Sequence, residues 1–311
     1  GLTVGSLVCT FGGVSKATDL FETITNRIIA DIEAGAANPD DWEMPWTRLG
    51  LGLPVNADGR KYRGLNVMIL ALAGVDSAYT SQVWGTYKQW QGKGAQVRKG
   101  ERSTQVVLWK PYEKVNAEGV KERGLFAATF NVFAAEQVDG AEAVLDKLNR
   151  GEVELDTVER IESAEAYFAS IEGLDITVGG DRACYTPARD EVSMPGINQF
   201  VDAASYYATL AHEATHWTGH KDRLDRPILN RFGSEGYAFE ELVAEMGSAF
   251  WCGAHGLSTA PRPDHAQYLA SWLKVLRSDP KAIVTAASKA QAALDFLDSA
   301  AAGALAIQDA A

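Results

Sequence analysis

The segment YYATLAHEATHWTGHKDRL, residues 206–224, constrains this chain more than any other. His212 and His216 are four residues apart, so on an α-helix they project from one face, about a turn from each other. Glu213 stands beside the first. That spacing lets two imidazoles hold one Zn²⁺ while a carboxylate reaches water at the ion. It works only on a helix, and the segment agrees: Tyr207, Leu210, Ala211, Ala214 and Trp217 fall at core spacing. A five-residue match also arises by chance on amphipathic helices, so the reading depends on a third ligand.

The chain offers two. The local one is Asp222, because HEATHWTGHKD fits H-E-x-x-H-x-x-G-x-x-D, with Gly219 turning the chain. The distant one lies in GYAFEELVAEMGSAFW, where Glu241 and Glu245 are i and i+4 on a helix whose opposite face, Leu242, Met246, Ala249 and Phe250, reads as buried. Carboxylates on such a helix are costly unless paired or metal-bound. Small residues beside them, Ala244 and Ser248, permit close approach of another helix. Glu241 is the preferred ligand, with Glu245 orienting a ligand histidine. Asp222 is the alternative, more simply read as a solvated partner of Arg223 or Arg226. His220, His255 and His265 read as structural or solvent-facing. Tyr237 or His255 could stabilise an oxyanion, and nothing in the sequence selects either. The chemistry implied is amide hydrolysis. Zn²⁺ would polarise the carbonyl and lower the pKa of water to about 7; Glu213 would act as general base and pass the proton to the leaving amine. The segment EVSMPG is a candidate strand rim for an extended peptide.

A chain of 311 residues, 46% hydrophobic and 23% charged, can bury a sizeable core and suggests two ordinary domains or one large one. Cys9, Cys184 and Cys252 are scattered, which argues against a disulfide framework or a cysteine zinc site. No apolar run reaches the ~18 residues of a membrane span. The reading is a reduced, cytoplasmic protein, with residues 1–15 a poorly ordered arm.

The net charge of −12 alone argues against nucleic acid, but its distribution does not. Between Trp46 and Lys114 there are eleven Lys/Arg and four Asp/Glu, a local +7, which leaves −19 elsewhere. The same block holds eight aromatics, Trp46, Tyr62, Tyr79, Trp84, Tyr87, Trp90, Trp109 and Tyr112. Basic residues interleave with them: Arg60, Lys61 and Arg63 around Tyr62; Lys88 and Lys93 around Trp90; Arg98, Lys99 and Arg102; and Lys110 after Trp109. Cations hold phosphates and aromatic faces stack unpaired bases at roughly 1–3 kcal/mol each, a composition suited to single strands. No duplex-reading signature is visible. The competing reading is ordinary: Trp and Tyr are commonly core residues.

Periodicity predicts a helix over 19–34 opened by an Asp19/Glu22 capping box, and another over 66–73. A third is expected after Ser81, carrying Trp84, Tyr87, Lys88 and Trp90. Two strands are expected around Lys99-Gly100-Glu101, then a turn and a strand to about 138. ACYTPARDEVSMPG reads as strand, turn, strand. Long helices are expected near 204–218, 235–252, 263–277 and 279–300. The acidic stretch 141–160 is the expected linker, and 303–311 a fraying tail.

Taken together, the two halves resemble the ArdC-type antirestriction proteins of plasmids and phages. The resemblance runs from about Asp19 to Leu297. It rests on ITNRIIADIEAG, MPWTR, LPVNADGRKYRGLNVMILALA, WGTYKQWQGKGAQVRKGE and FNVF, then on DRACYTPARDEVSMP, YYATLAHEATHWTGHKDRLDR, GYAFEELVAEMGSAF and SWLKVLRSDPKAI. The leader before Ser15 and NPDDWEMPW depart from it. The resemblance implies an α+β protein: a mixed α/β single-stranded DNA-binding domain over 16–140, then a largely helical zincin-like metallopeptidase domain with a small sheet over 161–302. It implies protection of incoming DNA from host restriction, and it favours a glutamate of EELVAE as third ligand. The implied cofactor is Zn²⁺, with another divalent ion such as Mn²⁺ as the alternative occupant. The expected partners are single-stranded DNA and, for the second half, a protein or peptide substrate, with no membrane and no stable protein partner. Two competing functions are a zinc protease directed to proteins on single-stranded DNA, and a plain metallopeptidase with a protein-binding first half.

Overall fold

The structure, a computed structural model, describes residues 14–37, 52–115, 121–149, 157–228, 233–257 and 265–308. The departures from the family pattern, most of the leader and NPDDWEMPW with Trp46, lie outside them.

The first half is built on a helix and a four-stranded sheet. Helix α1 (Val14–Ala37) buries Leu20, Phe21, Ile24, Ile28 and Ile32, a stripe of helical period. It starts five residues before Asp19, so the expected capping box is interior to the helix. The sheet runs β1 (Val55–Asn56), β2 (Val83–Gly85), β5 (Lys121–Ala134), β4 (Thr104–Val115). β1 and β2 are parallel, joined through α2 (Leu65–Ser77), and β4 and β5 form a long antiparallel hairpin. The expected third helix is shorter than the reading placed it: Trp84 lies on β2, and α3 covers only Tyr87–Gly92, opened by a Thr86/Gln89 capping box. Around Lys99-Gly100 the two strands do not pair with each other. β3 (Gln96–Val97) pairs instead with β6 (Val138–Asp139).

Beneath that ribbon is a small second core of Val83, Trp90, Val97, Val138 and Val144. Residues 142–149 of the expected linker form α4 (Glu142–Asn149), which supplies Val144 to it. Trp90 is fully buried, and its Nε1–H donates to the Phe133 carbonyl at 3.1 Å. Gly85 lies under the indole: a Cβ there would sit 2.8 Å from Nε1. Gly85→Ala is therefore expected to lower stability by about 1–3 kcal/mol through overpacking, measured by urea unfolding.

The second half is helical around one small sheet. After α5 (Thr157–Ala169), β7 (Asp175–Val178), β8 (Cys184–Thr186) and β9 (Glu191–Met194) form a sheet in the order β7-β9-β8. β7 had no counterpart in the sequence reading, since the alternation of Asp175-Ile176-Thr177-Val178 is only four residues long. Helices α6 (Ala203–Thr218), α7 (Glu235–His255), α8 (His265–Ser278) and α9 (Ala282–Gln308) follow. Asp202 caps α6 through the Ser205 amide, Ser234 caps α7 through the Tyr237 amide, and Gly256, at φ 63°, ends α7. Helix α7 is buried almost all round, which makes it the axis of this half.

The two halves share one continuous hydrophobic core. Helix α1 packs on α8, and α2 on α9. Thr25 donates to the Pro280 carbonyl at 2.7 Å, Gly64 N–H to Gln291, and Arg63 pairs with Asp295. No helix among the described residues is long and apolar enough to cross a membrane.

Candidate metal centre and nucleic-acid surface

Helices α6 and α7 lie side by side, and their contact brings three expected residues together. One ligand atom each from His212, His216 and Glu241 lies within 4.8 Å of the others. The Glu241 carboxylate straddles both imidazoles, 3.5 Å from His212 Nε2 and 3.6 Å from His216 Nε2. The opposite ring nitrogens face two other carboxylates. His212 Nδ1 stands 3.2 Å from Glu245, and His216 Nδ1 3.3 Å from Glu240. Carboxylates at both Nδ1 atoms favour the tautomer whose Nε2 lone pair is a metal donor. Two imidazoles and one carboxylate form a donor set that fits Zn²⁺ or another first-row divalent ion. Burial alone would raise the Glu241 carboxyl; the His212 hydrogen bond and the charges of both imidazoles outweigh it and hold the group down at about 2.

The inter-helix distance has a local cause. A Cβ on Gly247 would fall 2.4 Å from Thr215 Oγ1, so only glycine lets α7 approach α6 at the level of the histidines. Nearby, Ser248 Oγ donates to the Ala208 carbonyl at 2.7 Å.

Glu213 is buried beside this set, and its Oε2 accepts the Tyr185 amide at 2.8 Å. That contact corrects the expected rim. EVSMPG supplies β9, the middle strand of its sheet, with both edges paired. The strand turned toward Glu213 is β8, an edge strand whose Tyr185 amide donates to that carboxylate. Its place is fixed by Asp190, which accepts the Tyr185 hydroxyl at 2.7 Å and pairs with Arg223. The Arg223 guanidinium, and then the Tyr185 hydroxyl, hold Asp190 below its ordinary value against a smaller effect of burial.

Asp222 is not part of the metal set. It is largely exposed and faces His220 at 3.5 Å, whereas Arg223 pairs with Asp190 and Arg226 with Glu240. Tyr237 hydrogen-bonds the Glu241 carboxylate. His255 lies fourteen residues beyond Glu241 on α7, roughly 20 Å along the axis. It stacks on Trp251, with Nδ1 2.9 Å from that residue's carbonyl, and burial lowers its pKa. It is a core residue. The His265 side chain lies outside the described residues. Sequence reasoning missed Glu240, Arg226 and Tyr185. The signal for Glu240 was present: it is another carboxylate on an otherwise apolar helix, and each of these needs a partner.

The basic aromatic block divides. Trp84 is 1% exposed and Trp90 0%, so neither offers a face to a base; both were expected as DNA contacts and both are core. Tyr62 is half-buried, and desolvation pushes its hydroxyl up to about 12. Arg63 is committed to Asp295, Lys93 to Asp58, and Arg98 to Glu101. Arg60, Lys61, Lys88, Lys99 and Arg102 are exposed. Tyr87 is 45% exposed and Trp109 38%, although one ring face of Trp109 stacks on Phe21. Lys110 lies over the Phe130 ring at 5.1 Å. An open pocket of about 500 Å³ has Tyr87, Gln96, Arg98 and Lys99 on its wall, with Glu101 and Asp139 also lining it.

A mixed α/β first half joined to a helical half with two histidines and a glutamate between packed helices defines the class: a zincin-like domain behind an N-terminal module that shares its core. The family described as "Zincin-like metallopeptidase" matches residues 162–289, and that described as "N-terminal domain of anti-restriction factor ArdC" matches residues 18–133. The chain belongs to the ArdC family of antirestriction proteins. It resembles the crystal structure of the ArdC protein from plasmid R388 in its metal-free form, with a TM-score of 0.76 and 39% identity over 92% of this chain and 98% of that one. The Mn(II)-bound form of that protein gives a TM-score of 0.72 and 40% identity over 91% and 98%. A protein from Sinorhizobium fredii (strain NBRC 101917 / NGR234), "Uncharacterized protein y4eC", is 46% identical over 90% of this chain and 92% of its own length. "DNA primase TraC" of Escherichia coli is 38% identical over 89% of this chain, which spans 27% of that protein.

Proposed function

We propose that this protein binds single-stranded DNA through its first half, and so protects DNA from restriction, while His212, His216 and Glu241 hold a divalent cation in the second. The observation that carries the DNA reading is the exposure of Tyr87, Lys88, Lys99 and Lys110 on the half matched by the ArdC N-terminal family. The recurrence of most of this chain, both halves together, within a protein named DNA primase supports single-stranded nucleic acid as the ligand. Binding of a labelled single-stranded oligonucleotide, followed by anisotropy, is expected to fall steeply with salt. Tyr87→Ala combined with Lys99→Ala is expected to weaken it by about 10-fold or more, from one lost stacking contact and one lost phosphate contact. Salt-independent binding, or an unaffected double variant, would refute this placement.

Zn²⁺ is the proposed occupant of the metal set, with Mn²⁺, the ion bound in the R388 relative, as the alternative. Such an ion, when bound, supplies Lewis-acid polarisation of a carbonyl. A second reading, proteolysis, is favoured by Glu213. Its carboxylate is buried next to the first ligand on α6 and accepts an amide of β8, an edge strand open to pairing with an extended peptide. There Glu213 takes a proton from water and hands it to the leaving amine. Glu213→Gln separates the readings: protection is expected to persist and any cleavage of a peptide library to disappear. Loss of protection in that variant would make proteolysis the function.

A further inference from the structure

We infer that Arg226 is a positioning residue for the metal centre, acting through Glu240 on His216. This rests on the reading that His212, His216 and Glu241 bind a cation. Arg226 is buried, and its hydrogen bonds go to other residues than these three. Its guanidinium joins three things instead. Nε lies 3.2 and 3.1 Å from the two Glu240 oxygens and Nη2 2.8 Å from Oε1. Nη1 donates to Thr218 Oγ1 at 2.8 Å, and Nη2 to the Thr215 carbonyl at 2.5 Å. The last turn of α6, which carries His216, is thus riveted to α7 by a residue of the loop that follows.

The two histidines are held differently. Glu240, which faces His216, is the carboxylate gripped by Arg226, while Glu245 faces His212 from one turn further along α7. Only a planar fork can meet both Glu240 oxygens and still reach α6; a lysine ammonium cannot.

Gly219 supports the same reading independently. Its φ of −76° is open to any residue, so it is not glycine for the sake of a turn. A Cβ there would lie 2.9 Å from Arg226 Nη2 and 2.6 Å from Ile228 Cγ2. Glycine leaves room for the guanidinium beneath the end of α6.

The test uses the full chain, stripped of metal. Apparent affinity for Zn²⁺ and for Mn²⁺ is measured by competition with a chelator, for wild type, Arg226→Lys, Gly219→Ala and Gly85→Ala, with folding checked by circular dichroism. Arg226→Lys and Gly219→Ala are expected to bind about 10–100-fold more weakly, the range for partners of ligating residues. Gly85→Ala, destabilised in the other half, is expected to bind like wild type. If Arg226→Lys does not fold, Gly219→Ala decides. Folded variants that bind as tightly as wild type overturn the inference, as does an equal loss in Gly85→Ala. A wild type that takes up neither ion overturns the metal reading itself, a distinguishable failure.

Discussion

Glu241→Ala is expected to abolish stoichiometric metal binding. The loss should exceed the roughly 10–100-fold typical of outer partners, because a ligand itself is removed. The Glu241 carboxylate is the group that stands between both imidazoles, at 3.5 and 3.6 Å from the two Nε2 atoms. Asp222, the alternative in the sequence, lies on the exposed loop against His220 and cannot replace it without moving that loop. The measurement is metal content after desalting, together with melting in the presence of added Zn²⁺. An ion at 100 times its dissociation constant stabilises the folded state by about 2.7 kcal/mol, so the wild type should show a clear upward shift in Tm. The Glu241→Ala variant should show none, whereas Asp222→Ala should behave as wild type. An Asp222→Ala variant that loses its metal would reverse the assignment.

The second large effect is expected at Gly247, which touches none of the three ligands. With Thr215 Oγ1 only 2.4 Å from where a Cβ would be, Gly247→Ala must push α7 away from α6 or displace Thr215. Overpacking of this kind costs about 1–3 kcal/mol. Because Glu241 and the histidines lie on opposite sides of that contact, metal affinity should fall with stability. The clash has a partner, which makes the explanation separable from general damage. Thr215→Ala removes the obstructing atoms, at the cost of the Thr215 hydroxyl's bond to the Ala211 carbonyl. The double variant Gly247→Ala/Thr215→Ala is expected to recover most of both properties, with a coupling energy of about 1 kcal/mol or more. Additive losses would mean that the two residues do not set the helix spacing.

The parts of this protein legible in its sequence are those set by local geometry. His212 and His216 share a face because of the helical period, and the apolar stripes recover α6 and α7 to within three residues at each end, α2 and α1 only to within four and five. The same logic placed Glu245 one turn from Glu241, and α7 puts it against His212 Nδ1. Failures occurred where the answer depends on what packs opposite. Trp84 and Trp90 sit among basic residues in the sequence, but an aromatic ring's neighbours along the chain do not say which side its face is turned. Both rings are buried, one on each of two separate cores. β9 looks like an edge strand until β7, too short to recognise, covers its far side. Glu240 and Glu241 are adjacent and chemically alike. Only the position of α6 makes one face both Nε2 atoms and the other a Nδ1 partner.

By itself, then, the sequence determined a helix with two histidines on one side, a carboxylate between them, acidic residues on an apolar partner helix, and a basic block between Trp46 and Lys114. These follow from periodicity and charge, which are properties of consecutive residues. The tertiary structure decided the rest. It chose Glu241 over Asp222, drew Arg226 from a loop into the support of His216, and brought the Tyr185 amide to Glu213. It also withdrew two tryptophans from the surface. The physical reason is common to all four: contacts between residues distant in the chain depend on how closely two backbones approach. At the metal centre that approach is governed by the missing side chains of Gly247 and Gly219, and at Trp90 by that of Gly85, whose effects are visible only once the opposing atoms are in place.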